Sequence, residues 1–155
     1  MSLNKPDYTT PELIKVIGVT RARLQQWVER GYVGPSIQKA SGQGVKNLYS
    51  INDLYKVAAF KHLIEFGFSR ERAGSIIGKY SFSFSDENNK AYHILVHIDL
   101  KETKENTFFF SFDDEDKVDE FFKVIKEGVM YQNSVFILNI SALIADVNFE
   151  IKKLL

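Results

Sequence analysis

The 155-residue sequence contains no cysteine, and only three prolines, two methionines and one tryptophan. Without thiols there is no disulfide, no zinc knuckle, no thiolate nucleophile and no thiolate metal sensor, which removes most small secreted and redox-active domain types. Long apolar runs are also missing: none approaches the roughly 18 residues that cross a bilayer as a helix. The first ten residues, MSLNKPDYTT, lack the basic and apolar regions of a secretory signal, so a cytoplasmic location and no membrane partner are expected. Catalytic signatures are equally scarce. There is no nucleophile elbow and no HExxH, and GSIIGKYS at 74–81 falls one residue short between its glycines for a phosphate-binding loop, with Tyr80 where that loop needs Ser or Thr. The sequence therefore predicts no enzyme, no catalytic or metal-ligating set and no cofactor.

Net charge is absent too, 20 basic residues balancing 20 acidic ones. The balance hides a segregation. Residues 1–80 hold 12 basic and 6 acidic side chains and residues 81–155 hold 8 and 14, so the two halves carry +6 and −6. A basic module suited to a polyanion is joined to an acidic one that a polyanion would repel. With 45% hydrophobic and 26% charged residues, the composition is that of a globular chain long enough for two small domains. A division at 1–78 and 79–155 is expected.

What is present in the first half is a series of helix signals. Thr9 and Glu12 have capping-box spacing around Pro11, Leu13, Ile14 and Ile17 share one face, and Gly18 is placed to end that helix in a left-handed cap. Thr20 then caps a second helix, with Leu24 able to staple back onto Val19. The turn between them is three or four residues long, as in a helix-turn-helix. On the second helix Leu24, Trp27 and Val28 form a buried face, with Trp27 read as a packing anchor. The opposite arc carries Ala22, Gln25, Gln26 and Glu29, flanked by Arg21, Arg23 and Arg30. Glutamines can pair with base edges and guanidinium groups with phosphates, while Glu29 would repel phosphate and shift contact toward the helix's N-terminal half. Residues 36–50 read as a β-hairpin with Lys39 and Lys46 on its arms. Ser50 and Asp53 open a third helix ending near Gly67, and Ser69 caps a fourth that buries Ala73, Ile76 and Ile77. Helix, turn, helix, hairpin, helix, helix is a winged-helix order.

Four stretches in this order, TTPELIKVIGVT, LQQWVERGYVGP, NLYSINDL and FGFSRERAGSII, resemble the winged helix-turn-helix DNA-binding domain of the MerR family of bacterial transcription regulators, over residues 8–78. The resemblance implies a double-stranded DNA partner and a homodimer, with the second helix in the major groove and the wing on the flanking backbone. It gives contact roles to Arg21, Arg23, Gln25 and Gln26 on that helix and to Lys39, Lys46 and Tyr49 in the wing; Thr20 and Arg30 beside the helix and Asn47 in the wing complete the set expected to contact DNA. Two departures stand out. Gln25, Gln26 and Trp27 occupy positions where the family commonly has arginine followed by two aromatics, and Asn47 stands where the wing commonly has arginine.

A third departure comes after Gly78, where the family's long antiparallel dimer helix is replaced by strand-like alternation. Tyr80, Phe82 and Phe84 mark one strand, Tyr92, Ile94, Val96, Ile98 and Leu100 a second, and Thr107 to Phe112 a third. The acidic run Asp113 to Asp116 reads as a segment just before a helix that bears Val118, Phe121, Phe122 and Ile125 on one face and Lys123 and Lys126 toward its end, as the helix dipole favours, rather than as a cation site. His93 and His97 share a strand face with Asp99, but four strand residues span about 13 Å, too far for both histidines to hold one ion. A strand at SVFILNI then leads to a last helix, with Ser141 as its N-cap and Leu143, Ile144, Val147, Ile151 and Leu154 as its apolar residues. The fold class expected is α+β, a mainly helical winged domain followed by a β-β-β-α-β-α unit with a largely antiparallel sheet. The function expected is DNA-binding transcription regulation by a dimer joined through the second domain. Two alternatives stay open: a protein-interaction module on a winged-helix scaffold, and an excisionase-like architectural DNA-binding protein. The sequence leaves the operator, the sign of regulation and any small-molecule effector unassigned.

Overall fold

The computed structural model describes residues 5–79, 92–98, 106–112, 115–131 and 135–154. The chain folds as two compact units, Met1–Phe84 with Leu143–Leu155, and Ser85–Ala142.

The first unit begins with a two-residue strand β1 (Tyr8–Thr9) and helix α1 (Thr10–Ile17). The helix starts where the capping signal placed it: the Thr9 backbone N–H and hydroxyl donate to the Glu12 carboxylate at 2.8 and 2.7 Å. It ends at Gly18, whose φ of 67° and ψ of 45° suit a residue without Cβ, and whose N–H closes on the Ile14 carbonyl. Helix α2 (Arg21–Glu29) follows, capped by Thr20, and Val19 and Leu24 on either side of that cap are both buried. After a long loop, strand β2 (Leu48–Tyr49) pairs antiparallel with β1, Tyr8 opposite Tyr49 and Thr9 opposite Leu48. Helices α3 (Ile51–Glu65) and α4 (Arg70–Gly78) complete the winged-helix order, capped by Ser50 and Ser69 as expected. The core they enclose includes Leu13, Leu24, Trp27, Leu54, Phe60, Leu63, Ile76 and Ile77. One charge lies within it. Asp53 is 4% exposed, and its Oδ2 accepts from the Ser36 N–H and hydroxyl and from the Ser50 N–H at 2.6–2.8 Å, which satisfies the buried carboxylate.

The second unit contains strands β3 (Tyr92–Ile98), β4 (Asn106–Phe112) and β5 (Val135–Asn139) and helix α5 (Glu115–Tyr131). The sheet is antiparallel throughout, with β3 between β4 and β5, and α5 lies against β4 and β5. The fold is α+β. The strand expected at Tyr80, Phe82 and Phe84 lies outside the described residues, as do Asp99, Asp113 and Asp114.

The last helix, α6 (Ile140–Lys152), differs from expectation twice. Its first turn is capped by Asn139, whose Oδ1 accepts from the Ala142 N–H at 3.0 Å, while Ser141 already lies inside the helix. From Leu143 onward it also belongs to the first unit, although the expected division put the whole helix in the second. Leu143, Val147 and Ile151 are buried, and the Tyr55 hydroxyl donates to Asn148 Oδ1 at 2.7 Å across 93 residues of sequence. A helix's apolar stripe says that it packs but not against which neighbour, so this placement could not be read from periodicity.

Candidate nucleic-acid interface

Helix α2 is fixed from both ends. At its start the Thr20 hydroxyl accepts from the Arg23 N–H at 3.3 Å, and no acidic residue occupies its first turn, leaving the positive end of the helix uncompensated. At its end the Arg30 N–H bonds to Gln26, the Gly31 N–H to Val28 and the Tyr32 N–H to Trp27. Trp27, 4% exposed, meets Phe60 edge-to-face with ring centroids 5.0 Å apart. Tyr32 stacks on the same Phe60 at 5.6 Å and donates its hydroxyl to Glu71 of α4 at 2.7 Å. The tryptophan is thus a packing anchor, as its spacing suggested. With Leu24 it holds the opposite side of the helix outward, so that Arg21, Ala22, Arg23, Gln25, Gln26, Glu29 and Arg30 are all exposed. Gln25 does not extend independently: its Nε2 donates to Glu29 Oε1, one turn on, at 2.8 Å.

The wing is less regular than a full hairpin. A single antiparallel bridge joins Gln38 to Leu48, and side chains replace the rest of the ladder. Gln38 Nε2 donates to the Lys46 carbonyl at 2.9 Å, and the Ala40 N–H donates to Asn47 Oδ1 at 2.7 Å. The tip, ASGQG, lacks the β-branched and aromatic residues that would extend a strand pair, and β2 turns instead to β1. Lys39 and Lys46 are exposed on its two arms.

Between α2 and the wing lies an open cleft of about 360 Å³, bordered by Arg21, Gln25 and Glu29 on one side and Lys39, Asn47 and Tyr49 on the other. The structure thus brings part of the expected set together around one concavity. Arg23, Gln26, Arg30 and Lys46 are exposed but outside its lining. Three residues named for DNA contact also have structural duties: Thr20 caps α2, Asn47 ties the wing to itself, and Tyr49 is 1% exposed. Burial pushes the Tyr49 hydroxyl above its ordinary pKa, while hydrogen bonds with the Thr10 and Asn47 side chains pull the other way. Sequence reasoning missed Thr10 as a border residue and treated Glu29 as merely repulsive. The i, i+4 spacing of Gln25 and Glu29 was the available signal.

Among the described residues, no helix is long and apolar enough to cross a membrane. Residues 8–77 match the family model described as MerR HTH family regulatory protein. The chain is also 34% identical over 62 residues to uncharacterized HTH-type transcriptional regulators of Mycobacterium bovis and of Mycobacterium tuberculosis. That alignment covers 40% of this chain and only 28% of the length of each relative. The family match and the geometry coincide on the same segment, from the Tyr8 strand to the end of α4. Residues 8–77 are a helix-turn-helix domain of the MerR regulatory family.

Proposed function

We propose that the chain is a sequence-specific DNA-binding transcription regulator, with α2 entering the major groove of double-stranded DNA and the wing following the flanking backbone. The observation that carries this reading is the outward face of α2, where three arginines and two glutamines are exposed over a buried Leu24 and Trp27. Arg21, Arg23, Arg30, Lys39 and Lys46 supply sequence-independent attraction to phosphate, and Gln25 and Gln26 supply contact with base edges. Thr20, Asn47 and Tyr49 support these contacts mainly by fixing the helix start and the wing. The acidic second half keeps this attraction on one module, since phosphate is repelled by its −6 charge.

A homodimer joined through the second unit completes the reading. Phe122 on α5 and Ile137 on β5 are 61% and 46% exposed, apolar surface that a second copy would cover. Fluorescence anisotropy with mixed genomic duplex at several salt concentrations tests the DNA-binding claim. Binding that strengthens as salt falls supports it, and no binding even at low salt rejects it. Sedimentation of the wild type against Phe122→Asp tests the dimer: a wild-type monomer at micromolar concentration rejects that part alone.

A further inference from the structure

Glu29 is the one acidic residue on α2, the last of the helix, and around the helix axis it falls on the centre of the outward face rather than at its edge. At ~100° per residue, the direction opposite the midline of Leu24 and Trp27 falls between Glu29 and Ala22, about 10° from each. A carboxylate therefore lies on the midline of the face that meets DNA in the reading above, at the last residue of α2 and about 10 Å along the helix from Ala22. A polyanion disfavours a carboxylate there, so its presence calls for a chemical role beyond solvation.

The bond from Gln25 defines what the pair presents. A carboxylate accepts hydrogen bonds and cannot donate them, so Gln25 must turn its amide nitrogen toward Glu29, as the 2.8 Å contact shows. One amide N–H is committed in this way, and the Gln25 carbonyl oxygen remains as an acceptor beside the second carboxylate oxygen. The pair offers two free oxygens, one of them charged, against one remaining amide N–H, so acceptors outnumber donors, where a free glutamine would offer one carbonyl acceptor against two N–H donors. In the major groove cytosine presents a single donor, its N4 amino group, while guanine presents only the acceptors N7 and O6. Arg21 and Lys39 border the same cleft and offset the cost of bringing a carboxylate near phosphate.

We propose that Glu29, bonded to Gln25, sets the base preference of α2, accepting from the amino group of a cytosine in each half-site and excluding guanine from that position by repulsion. The inference rests on the DNA-binding reading above. It makes Glu29 a specificity residue whose repulsive element matters as much as its attractive one.

Selection from a randomised duplex library, using the full chain and its Glu29→Gln and Glu29→Ala variants, tests it. The wild type is expected to enrich one cytosine per half-site and deplete guanine there. Replacing that cytosine with a pyrimidin-2-one nucleotide, which lacks the amino group, is expected to weaken wild-type binding on the order of tenfold. Glu29→Gln keeps an acceptor without the charge, so it should retain cytosine but readmit guanine. Glu29→Ala should lose sensitivity to the missing amino group while binding random duplex at least as tightly as the wild type, which also shows that the variant is folded. The proposal is overturned if the variants select the same bases as the wild type, if the wild type enriches adenine or guanine at the position nearest Glu29, or if it ignores the missing amino group. If the wild type binds no duplex at all, the DNA-binding reading falls and this one falls with it.

Discussion

Replacing Ile151 with alanine tests whether α6 is part of the winged-helix core. Ile151 is 1% exposed and lies in the portion of α6 that belongs to the first unit. Deleting most of a buried isoleucine side chain costs about 2–5 kcal/mol, from lost transfer free energy and the cavity left behind. Trp27, the chain's only tryptophan, is buried against Phe60 in that unit and so reports its unfolding by fluorescence. With a urea m-value of about 1.5 kcal/mol/M for a unit of this size, a loss near 3 kcal/mol moves the Trp27 midpoint down by about 2 M. Phe149→Ala, on the same helix but at a side chain 61% exposed, should shift it by less than about 0.5 kcal/mol in equivalent stability. Removing α6 from Leu143 onward, the part that belongs to the first unit, takes away three buried apolar side chains, Leu143, Val147 and Ile151, each contributing about 1.5–3 kcal/mol. That sum is comparable with the whole stability of a small domain, so residues 1–84 alone should not hold Trp27 in its native environment. A Trp27 transition unchanged by Ile151→Ala would refute the reasoning and return α6 to the second half.

Three smaller predictions concern the same unit. Asp53→Asn puts an amide where three donors converge on a buried carboxylate, and should cost about 1–3 kcal/mol in urea unfolding. Asn47→Ala frees the Ala40 N–H and loosens the wing; faster amide exchange at Ala40, with the Trp27 transition moved by less than about 1 kcal/mol, is the expected result. Glu12 is held at a pKa of about 2, against an ordinary 4.5, chiefly by its hydrogen bond from Lys5 and then, against the cost of burial, by its bonds from Thr9. Because the folded value is depressed, its stabilisation is complete above pH 4.5 and is lost as pH falls toward 2. Both side chains are about a third exposed, so screening reduces the effect to about 1 kcal/mol, and Lys5→Ala should remove most of that pH dependence from the urea midpoint.

Local signals in the sequence were the ones that translated directly into structure. Thr9 with Glu12, Thr20, Ser50 with Asp53, Ser69 and Gly18 each satisfy or terminate a helix end within four residues, and each sits where its chemistry placed it. The buried face of α2 was legible in part for the same reason, since Leu24 and Trp27 share a helical stripe whatever lies beyond it, while Val28, expected on the same face, is only half-buried. Features that depend on distant partners were not. The destination of α6 rests on Tyr55 meeting Asn148 across 93 residues, and the burial of Tyr49 rests on a short strand pairing with Tyr8. Asn139 and Ser141 were both adequate caps by type, and only the backbone register decided between them. Of the candidate interface, the charges were legible but not their coupling: that Glu29 turns Gln25 toward an acceptor role is a matter of rotamers.

The salt dependence of DNA binding by the Arg21→Ala, Arg23→Ala double variant tests the central claim most directly. If α2 lies in the groove with both arginines on phosphate, log K against log salt should be shallower than wild type by about 2, at ~0.9 per lost contact. Parallel slopes for the two proteins would show that this face of α2 does not meet DNA.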